Sequence, residues 1–498
     1  MISSEFIIIW LIPVILAIVL LAAVSLEYLL LLALFLTPLS IQISYLTGTA
    51  PFDLSLPTEP VMAMLLFVTL FKLIVSREFS VSLLRHPVTL VIAFYLIWTL
   101  VSSVTSSIVI VSFKTLAYRM WFISGFYLIA AQLFIKDGID RKYVTAYSAG
   151  LAIVVMYFLI RVGSVGLLNQ KFAHSACYPF YGDHTSFGAS LAFLLPPLTV
   201  MFFNRGKQGI RGKLLLGGLI FLFIAGFVFS YSRAAWVSLL VSLAVTFILW
   251  LRMPKRLLFL ISAVLLVMFA FSAGSIWQKM DSTTEDSSAD LAQHLRSSSN
   301  ISTDQSNLER INRWKCALRM FAEKPLLGWG PGTYQFQYAP FQRSSERTII
   351  STDFGDAGNS HSEYLGALSE GGLPGALLFL LLTAATIMTG IRVWYREKRS
   401  SGYFALAIMA GLMTYMIHGT MNSFLDSDKI AALWWGFIAM IVAMDVKGGR
   451  PLRNCPAGPP AGGEEPDCGE ERRKSKDRAY LISTARIETS SKRSGLES

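Results

Sequence analysis

Apolar and polar residues follow one another along the chain in long blocks. Runs of roughly 20 apolar residues recur over most of its length, each closed by a short polar stretch. We predict spans near 6–25, 27–45, 60–76, 87–106, 114–135, 143–162, 184–203, 213–230, 233–251, 256–275, 372–392, 402–420 and 429–446. Membrane β-strands would alternate in much shorter segments. The pattern therefore predicts an all-α, polytopic transmembrane bundle of about 13 spans, or about 12 if the first two form one kinked helix.

The polar stretches divide the chain into four predicted parts. These are N-terminal transmembrane helices over 1–275, a large loop over 276–360, C-terminal transmembrane helices over 361–446, and a tail over 447–498. Within the loop, apolar residues recur at helical spacing near 307–322, which predicts an amphipathic helix in the membrane interface. The tail is rich in Pro, Gly and charged residues, which is typical of disorder.

Basic residues predict which loops face the cytoplasm. Lys and Arg concentrate in every second loop, at 77–85, 136–142, 205–213, 252–256 and 392–399. Cytoplasmic loops of membrane proteins carry such an excess, so we expect these loops and the tail to be cytoplasmic. The alternate loops, at 46–59, 107–113, 163–183, 230–232, 276–360 and 421–428, are then extracytoplasmic. With 13 spans, the N-terminus is also outside.

Composition excludes several classes of protein. The chain is 54% hydrophobic and only 15% charged, with a mean hydropathy of +0.54, which no soluble domain of this size shows. The net charge of +11 could indicate nucleic-acid binding. Because the basic residues fall in short loops and the tail, we attribute the charge to membrane orientation and expect no nucleic-acid partner. The N-terminus lacks the basic region of a cleavable signal.

Polar residues that could carry chemistry gather on the predicted outer side. They are Arg119, Asp183, His184, Arg233, Arg310, Arg313, His361 and Glu363. Each alone has an ordinary explanation, such as an arginine reaching to lipid phosphate, an aspartate helix cap or a solvated histidine. Residues with such unrelated roles would scatter over both faces of the membrane. Their shared side instead indicates one site.

The residue types at this site favour phosphate chemistry. The guanidinium fork matches the oxygens of a diphosphate, and a histidine can remove a proton from a hydroxyl near neutral pH. Together they predict group transfer from a lipid-linked diphosphate at the outer membrane interface. Asp426 and Asp428 flank the last outer turn, where charged helix caps are ordinary, so we expect neither a metal nor a cofactor. The four cysteines show no metal-ligand spacing. The sequence leaves a disulfide between Cys177 and Cys316 as an alternative.

Two glycine-containing stretches frame the predicted site. Gly328-Trp-Gly-Pro-Gly332 superficially resembles a phosphate-binding loop, but it follows a helix rather than a strand, which favours a tight turn. After His361, Glu363 and Glu370 are seven residues apart and return to one helix face. The run Gly371-Gly-Leu-Pro-Gly375 is expected to break or bend that helix before it enters the bilayer.

Three motifs resemble a known family. They are Ser232-Arg-Ala-Ala-Trp236 at a helix start, Arg313-Trp followed by Pro325 and Gly328-x-Gly330-x-Gly332, and His361-Ser-Glu363 followed by Glu370-Gly-Gly-x-x-Gly375. In this combination the chain resembles the O-antigen ligase and polymerase superfamily, integral-membrane glycosyltransferases of the GT-C type. The resemblance covers about 183–375. It departs from the usual pattern at Ala234, where Gly is common, and at Ser362, where Asn is common.

The resemblance implies a function and a role for each residue. The donor would be an undecaprenyl-diphosphate-linked glycan on the periplasmic side of the bacterial inner membrane. His361 would activate the acceptor, with Glu363 orienting His361. Arg233 with one or both of Arg310 and Arg313 would bind the diphosphate. Arg119, Asp183 and His184 would be auxiliary. The expected reaction is an inverting, metal-independent transfer.

The sequence leaves the identity of the acceptor undecided. Lipid A–core is the leading candidate, which would make the protein an O-antigen ligase in lipopolysaccharide biosynthesis. The alternatives are a polymerase that extends the lipid-linked glycan, a protein O-oligosaccharyltransferase, and a transporter of the same glycan without catalysis. Transporters often show repeated halves and helices interrupted at the bilayer midplane. The chain shows no convincing repeat, and its polar cluster lies at one face, so we favour the enzyme.

Overall fold

The computed structural model describes most of the chain. It covers residues 25–43, 55–76, 79–204, 209–252, 301–348, 351, 358–397 and 400–449, with side chains of the fifth range from residue 308 onward. The described residues up to Gly448 belong to one compact unit. The predicted spans 6–25 and 256–275 and the predicted disordered tail lie outside the described residues, apart from the first few residues of that tail range.

Helices dominate the described structure. They are α1 Leu26–Leu36, α2 Thr58–Phe71, α3 Val81–Leu84, α4 Pro87–Val104, α5 Val109–Phe122, α6 Ala130–Asp137, α7 Asp140–Val165, α8 Gln170–Ala173, α9 His184–Phe203, α10 Ile210–Phe229, α11 Arg233–Trp250, α12 Ile301–Glu323, α13 Tyr334–Gln337, α14 Glu363–Arg396, α15 Ser400–His418 and α16 Asp428–Gly449. Two-residue strands β1 Ile41–Gln42 and β2 Ser55–Leu56 pair antiparallel. Short 3-10 turns cover Thr37–Leu39, Ala339–Phe341 and Ser344–Glu346.

Ten helical segments within the described residues are long and apolar enough to cross a membrane. They are Thr58–Val75, Pro87–Val104, Val109–Asp137, Asp140–Val165, His184–Phe203, Ile210–Phe229, Arg233–Trp250, Glu363–Arg396, Ser400–His418 and Asp428–Gly449. Each overlaps a predicted span. The prediction of a polytopic, all-α membrane protein is therefore confirmed.

The predicted span 27–45 was too long. Helix α1 ends at Leu36, a 3-10 turn follows, and the chain enters β1 at Ile41. Pro38 lies in that turn, and proline lacks the N–H that a continuing helix needs. The apolar run therefore bends back toward β2 instead of continuing as a helix.

A second difference concerns the predicted span 114–135. Here α5 and α6 are joined without a break by a π-helical segment, Ile123–Ile129, so one helical rod runs from Val109 to Asp137. A Cβ added at Gly125 would lie only 2.9 Å from Met62 Sδ. The wide turn therefore lies where α2 packs against this rod.

Burial separates central from peripheral helices. In α16, 94% of the membrane-length window is buried within the protein, and in α9 and α15 72% is buried. In α10 and α11 the share is only 22%. Helices α16, α9 and α15 therefore form the centre of the bundle, and α10 and α11 present apolar side chains outward.

One end of the bundle gathers the loops predicted to be extracytoplasmic. Contacts between them include Ser107 N–H to Trp329 C=O (3.0 Å), Tyr231 O–H to Leu167 C=O (3.0 Å) and Asn359 Nδ2 to Ser423 C=O (2.6 Å). These bonds join segments that are far apart along the chain. The alternation inferred from charge is thus matched by a shared end of the bundle.

The opposite end gathers the loops predicted to be cytoplasmic. Asp445 accepts hydrogen bonds from Arg392 (2.9 Å) and Arg396 (2.8 Å). Arg252 reaches the Glu397 carbonyl at 3.4 Å. Basic residues that predicted the sidedness therefore also tie the helix ends together, because a partly buried cation is stabilised by such partners.

Candidate functional site

The loop before α14 holds His361 in a rarely used backbone conformation. Its φ is +50°, which lies in the left-handed region that few non-glycine residues occupy. Asn359 Oδ1 accepts the His361 N–H at 3.0 Å, and Trp314 Nε1 donates to the His361 carbonyl at 3.1 Å. Ser362 then caps α14. Such conformations persist where surrounding contacts hold them, often at functional sites.

Helix α12 supplies the arginines beside this histidine. Arg313 is only 4% exposed; its Nε bonds to Glu309 Oε1 at 2.8 Å, and its Nη1 donates to the Asn359 carbonyl at 3.1 Å. The guanidinium also lies over the Tyr338 ring, 5.0 Å from its centre. The helical spacing that predicted an amphipathic segment thus orients Arg313 toward the His361 loop.

The charges around His361 keep its ring neutral. Burial, together with the nearby positive charges of Arg313 and Arg310, lowers the pKa of His361 to about 4, while Glu309 and Asp183 partly oppose this shift. An ordinary histidine pKa is about 6.5. At physiological pH the imidazole is therefore unprotonated and able to accept a proton.

Asp183 connects helix α9 to the same group. Its carboxylate caps α9 by accepting the N–H of Thr185 (2.5 Å) and of Ser186 (2.9 Å), so the capping explanation from the sequence holds. Its charge also acts on Arg310 and His361. Burial lowers the pKa of the Arg310 guanidinium, but an arginine keeps its charge at neutral pH. We call Asp183, Arg310, Arg313 and His361 the arginine–histidine cluster.

His184 lies at the edge of this cluster. Its ring stacks on that of His174, with centroids 3.9 Å apart and planes tilted by 9°. The Arg310 charge reaches the His184 ring. His184 is therefore close to the arginines, and its nearest ring partner comes from the loop before α9.

Arg233 starts α11 close to the start of α9. Ser232 caps α11, and a Cβ added at Gly188 would lie 2.8 Å from Ser232 Cβ. The two helix starts are therefore in direct contact. The Arg233 side chain itself is exposed, so it extends from this contact toward the surface.

A histidine that sequence analysis missed joins Arg233's helix to the cluster. His418, the last residue of α15, is 1% exposed, and its Nε2 lies 3.1 Å from Asn422 Nδ2. Its ring lies beside the Ala234 carbonyl and feels the charges of Asp183 and Arg310. The sequence offered only a weak signal, a histidine that closes an apolar run.

Glu363 bonds to the outer turn between α15 and α16. Glu363 accepts hydrogen bonds from Tyr415 O–H (2.5 Å), Phe424 N–H (2.7 Å) and Leu425 N–H (2.9 Å). These bonds fasten the outer turn after α15 to the start of α14. The carboxylate therefore positions the His361 loop through the backbone rather than through the imidazole.

Arg119 and Glu370 meet near that turn. Arg119 pairs with Asp426 at 3.2 Å, and Glu370 Oε1 accepts the Tyr334 N–H at 3.1 Å. With Glu363 they line a small inner cavity of about 80 Å³. The two glutamates seven residues apart do share this face, as their spacing predicted.

The glycine-rich turn after α12 approaches α14 closely. Trp329 N–H donates to the Ser369 carbonyl (3.1 Å), and Gly330 N–H donates to the Glu370 carbonyl (2.9 Å). On the other side, Gly372 departs from helical geometry at φ +65°, and α14 is kinked there. A tight turn against the kink, rather than a nucleotide loop, explains these glycines.

The described residues contain no group of three or more His, Cys, Asp or Glu side chains placed to hold a metal ion. Cys177 and Cys316 are both free and buried, so the disulfide considered from the sequence does not form. Burial raises the pKa of each thiol to about 12, which leaves both unreactive at neutral pH.

Part of the chain is similar to a known family. Residues 218–380 match a family model described as O-antigen ligase. This match covers one region of the chain and supports the O-antigen ligase superfamily. The matched region contains Arg233, Arg310, Arg313, His361 and Glu363. No curated protein sequence matches the chain.

Proposed function

We propose that this protein is a glycosyltransferase of the O-antigen ligase superfamily that lies in the inner membrane and acts on its periplasmic side. It moves a glycan from undecaprenyl diphosphate to a hydroxyl acceptor, with lipid A–core as the leading acceptor. The observation that carries the proposal is the arginine–histidine cluster, where the buried Arg313 and the half-buried Arg310 act on a neutral imidazole. The arginines suit a diphosphate and the imidazole suits a hydroxyl proton.

In the proposed reaction, the acceptor hydroxyl gives its proton to the free nitrogen of His361. The hydroxyl oxygen attacks the anomeric carbon from the face opposite the diphosphate, and the bond from that carbon to the diphosphate oxygen breaks. The departing electron pair stays on undecaprenyl diphosphate, whose charge the arginines stabilise. The configuration at the anomeric carbon inverts.

The low pKa of free His361 fits this order of events. Arg313 and Arg310 lower it, so an anionic diphosphate bound to these arginines raises it again by offsetting their charge. The imidazole becomes a better base once the donor is in place. Donor binding would thus prepare the base before the acceptor reacts.

Arg233 completes the proposed donor site from the surface. Its helix start touches that of α9, and its side chain is exposed. A cation at a membrane interface attracts an anionic headgroup. Arg233 would contact the diphosphate as the lipid donor approaches, and His184 would support the same face.

The test is transfer by purified protein in detergent, where no gradient exists. The proposal predicts that a labelled glycan moves from undecaprenyl diphosphate to the acceptor. Arg310→Ala and Arg233→Ala should each raise the donor KM at least tenfold, whereas the exposed Arg343→Ala should not. A protein that binds the donor but transfers nothing under these conditions would favour the transporter instead.

A further inference from the structure

A larger cavity opens beside the arginine–histidine cluster, and neither the family match nor the proposed chemistry assigns it. This outer cavity has a volume of about 680 Å³. Ligand sites typically measure about 300–1,000 Å³, so it has room for more than one sugar ring. Asp183 and Asn359 both line it, and both also contact the cluster's elements. A molecule in the cavity would therefore touch Asp183, a member of the cluster, and Asn359, which holds the His361 loop.

The wall combines flat aromatic rings with hydrogen-bonding groups. Tyr118, Trp121 and Tyr181 contribute rings, and Gln335 contributes an amide. Rings present apolar faces that suit the C–H faces of a pyranose, while amides and carboxylates bond to its hydroxyls. Trp121 Nε1 has no hydrogen-bond partner among the described residues. The lining thus fits a polyhydroxylated ligand.

The charges of the lining disfavour an anion. The charged residues described in the lining are four carboxylates and two lysines: Glu59, Asp183, Asp426, Asp428, Lys114 and Lys429. The cations are matched locally. Lys429 lies 3.3 Å from Asp428, and Lys114 interacts with Glu59. Arg119, outside the lining, pairs with Asp426 in turn. A phosphate here would find each lining lysine already matched by a carboxylate.

We propose that the outer cavity binds the terminal sugar of the acceptor, and that this sugar carries no phosphate or carboxylate. The inference rests on the proposed function and sharpens it, because it states the chemistry of the acceptor end that meets His361. Division of labour follows from the charges. The anionic donor binds at the arginines, and the uncharged acceptor sugar binds among carboxylates and aromatic rings.

The experiment compares two acceptors with purified full-length protein. One is the native acceptor glycolipid, and the other is the same glycolipid with a phosphate on its terminal pyranose, at a hydroxyl that does not receive the glycan. Wild type should use the phosphorylated form with kcat/KM at least tenfold lower, mainly through KM, at an unchanged donor KM. Comparable or better use of the phosphorylated acceptor overturns the inference.

A pair of variants locates the effect. Gln335→Lys adds a cation to the cavity wall. It should reduce the ratio of kcat/KM between the unphosphorylated and phosphorylated acceptors at least threefold. Gln337→Lys adds the same charge on the same short helix, outside the lining, and should leave it unchanged. Equal effects of both variants would contradict the placement. Absence of transfer to either acceptor by wild type would instead refute the proposed function and this inference with it.

Discussion

The pH dependence of the reaction tests the electrostatics of His361 in detail. In the free protein its pKa is lowered to about 4 by burial and by Arg313 and Arg310. Lowering the pH from 7.5 to 5.5 should therefore leave the imidazole almost fully neutral. An ordinary histidine with a pKa of about 6.5 would be only about 10% neutral at pH 5.5. The first case predicts a flat kcat/KM, and the second predicts roughly a tenfold fall.

The assay is transfer at saturating acceptor, with donor concentration varied at each pH. A donor diphosphate esterified at both ends does not titrate in this range, so the profile reports the protein. The plot of kcat should turn down at higher pH than that of kcat/KM, because the bound diphosphate raises the pKa of His361.

Arg313→Gln supplies the matched perturbation. Removing its charge should shift the acid limb of the kcat/KM profile to higher pH, toward that of an ordinary histidine. Activity should also fall at every pH. A wild-type kcat/KM that already falls tenfold by pH 5.5 would refute the reasoning. So would an acid limb that stays in place in the variant.

Three further predictions concern the scaffold. Glu363→Gln weakens an acceptor of three hydrogen bonds and should lower the free energy of unfolding by about 2 kcal/mol. The measurement is unfolding in SDS, where the midpoint should fall. The exposed Glu323→Gln should leave the midpoint unchanged. Gly372→Ala would place a Cβ 2.1 Å from a backbone oxygen at φ +65° and should cost at least about 2 kcal/mol; Gly218→Ala, with open space around it, should be neutral in the same titration. In a variant that keeps only Cys177, maleimide should label the thiol after denaturation but not in the folded protein at pH 7, and prompt labelling of the folded form would contradict its burial.

The membrane spans could be predicted because hydrophobic length alone determines them. A run of about 20 apolar residues has few alternatives to a spanning helix. The turn at Pro38 escaped prediction because it leads into β1, whose partner strand β2 lies beyond the next loop. Pairing over that distance leaves no local pattern in the sequence. Helix α12 begins at Ile301, six residues before the predicted start at 307.

The candidate site was only partly predictable for the same reason. Arg313 and His361 stand out as charged or titratable residues in an outer loop, and the structure places them around one loop. The bonds from Glu363 to the turn at 424–425 join residues more than sixty positions apart, and no motif announces them. His418 was missed because a single histidine at the end of an apolar helix usually has no special role.

The most direct test of the central claim is single-turnover transfer by His361→Gln. Purified wild type and variant are mixed with undecaprenyl-diphosphate-linked glycan and acceptor, and donor binding is measured in parallel. A general base typically contributes about 10²–10⁴-fold, so the variant should transfer at least 100-fold more slowly while its donor affinity changes little. A transfer rate within threefold of wild type would contradict the account.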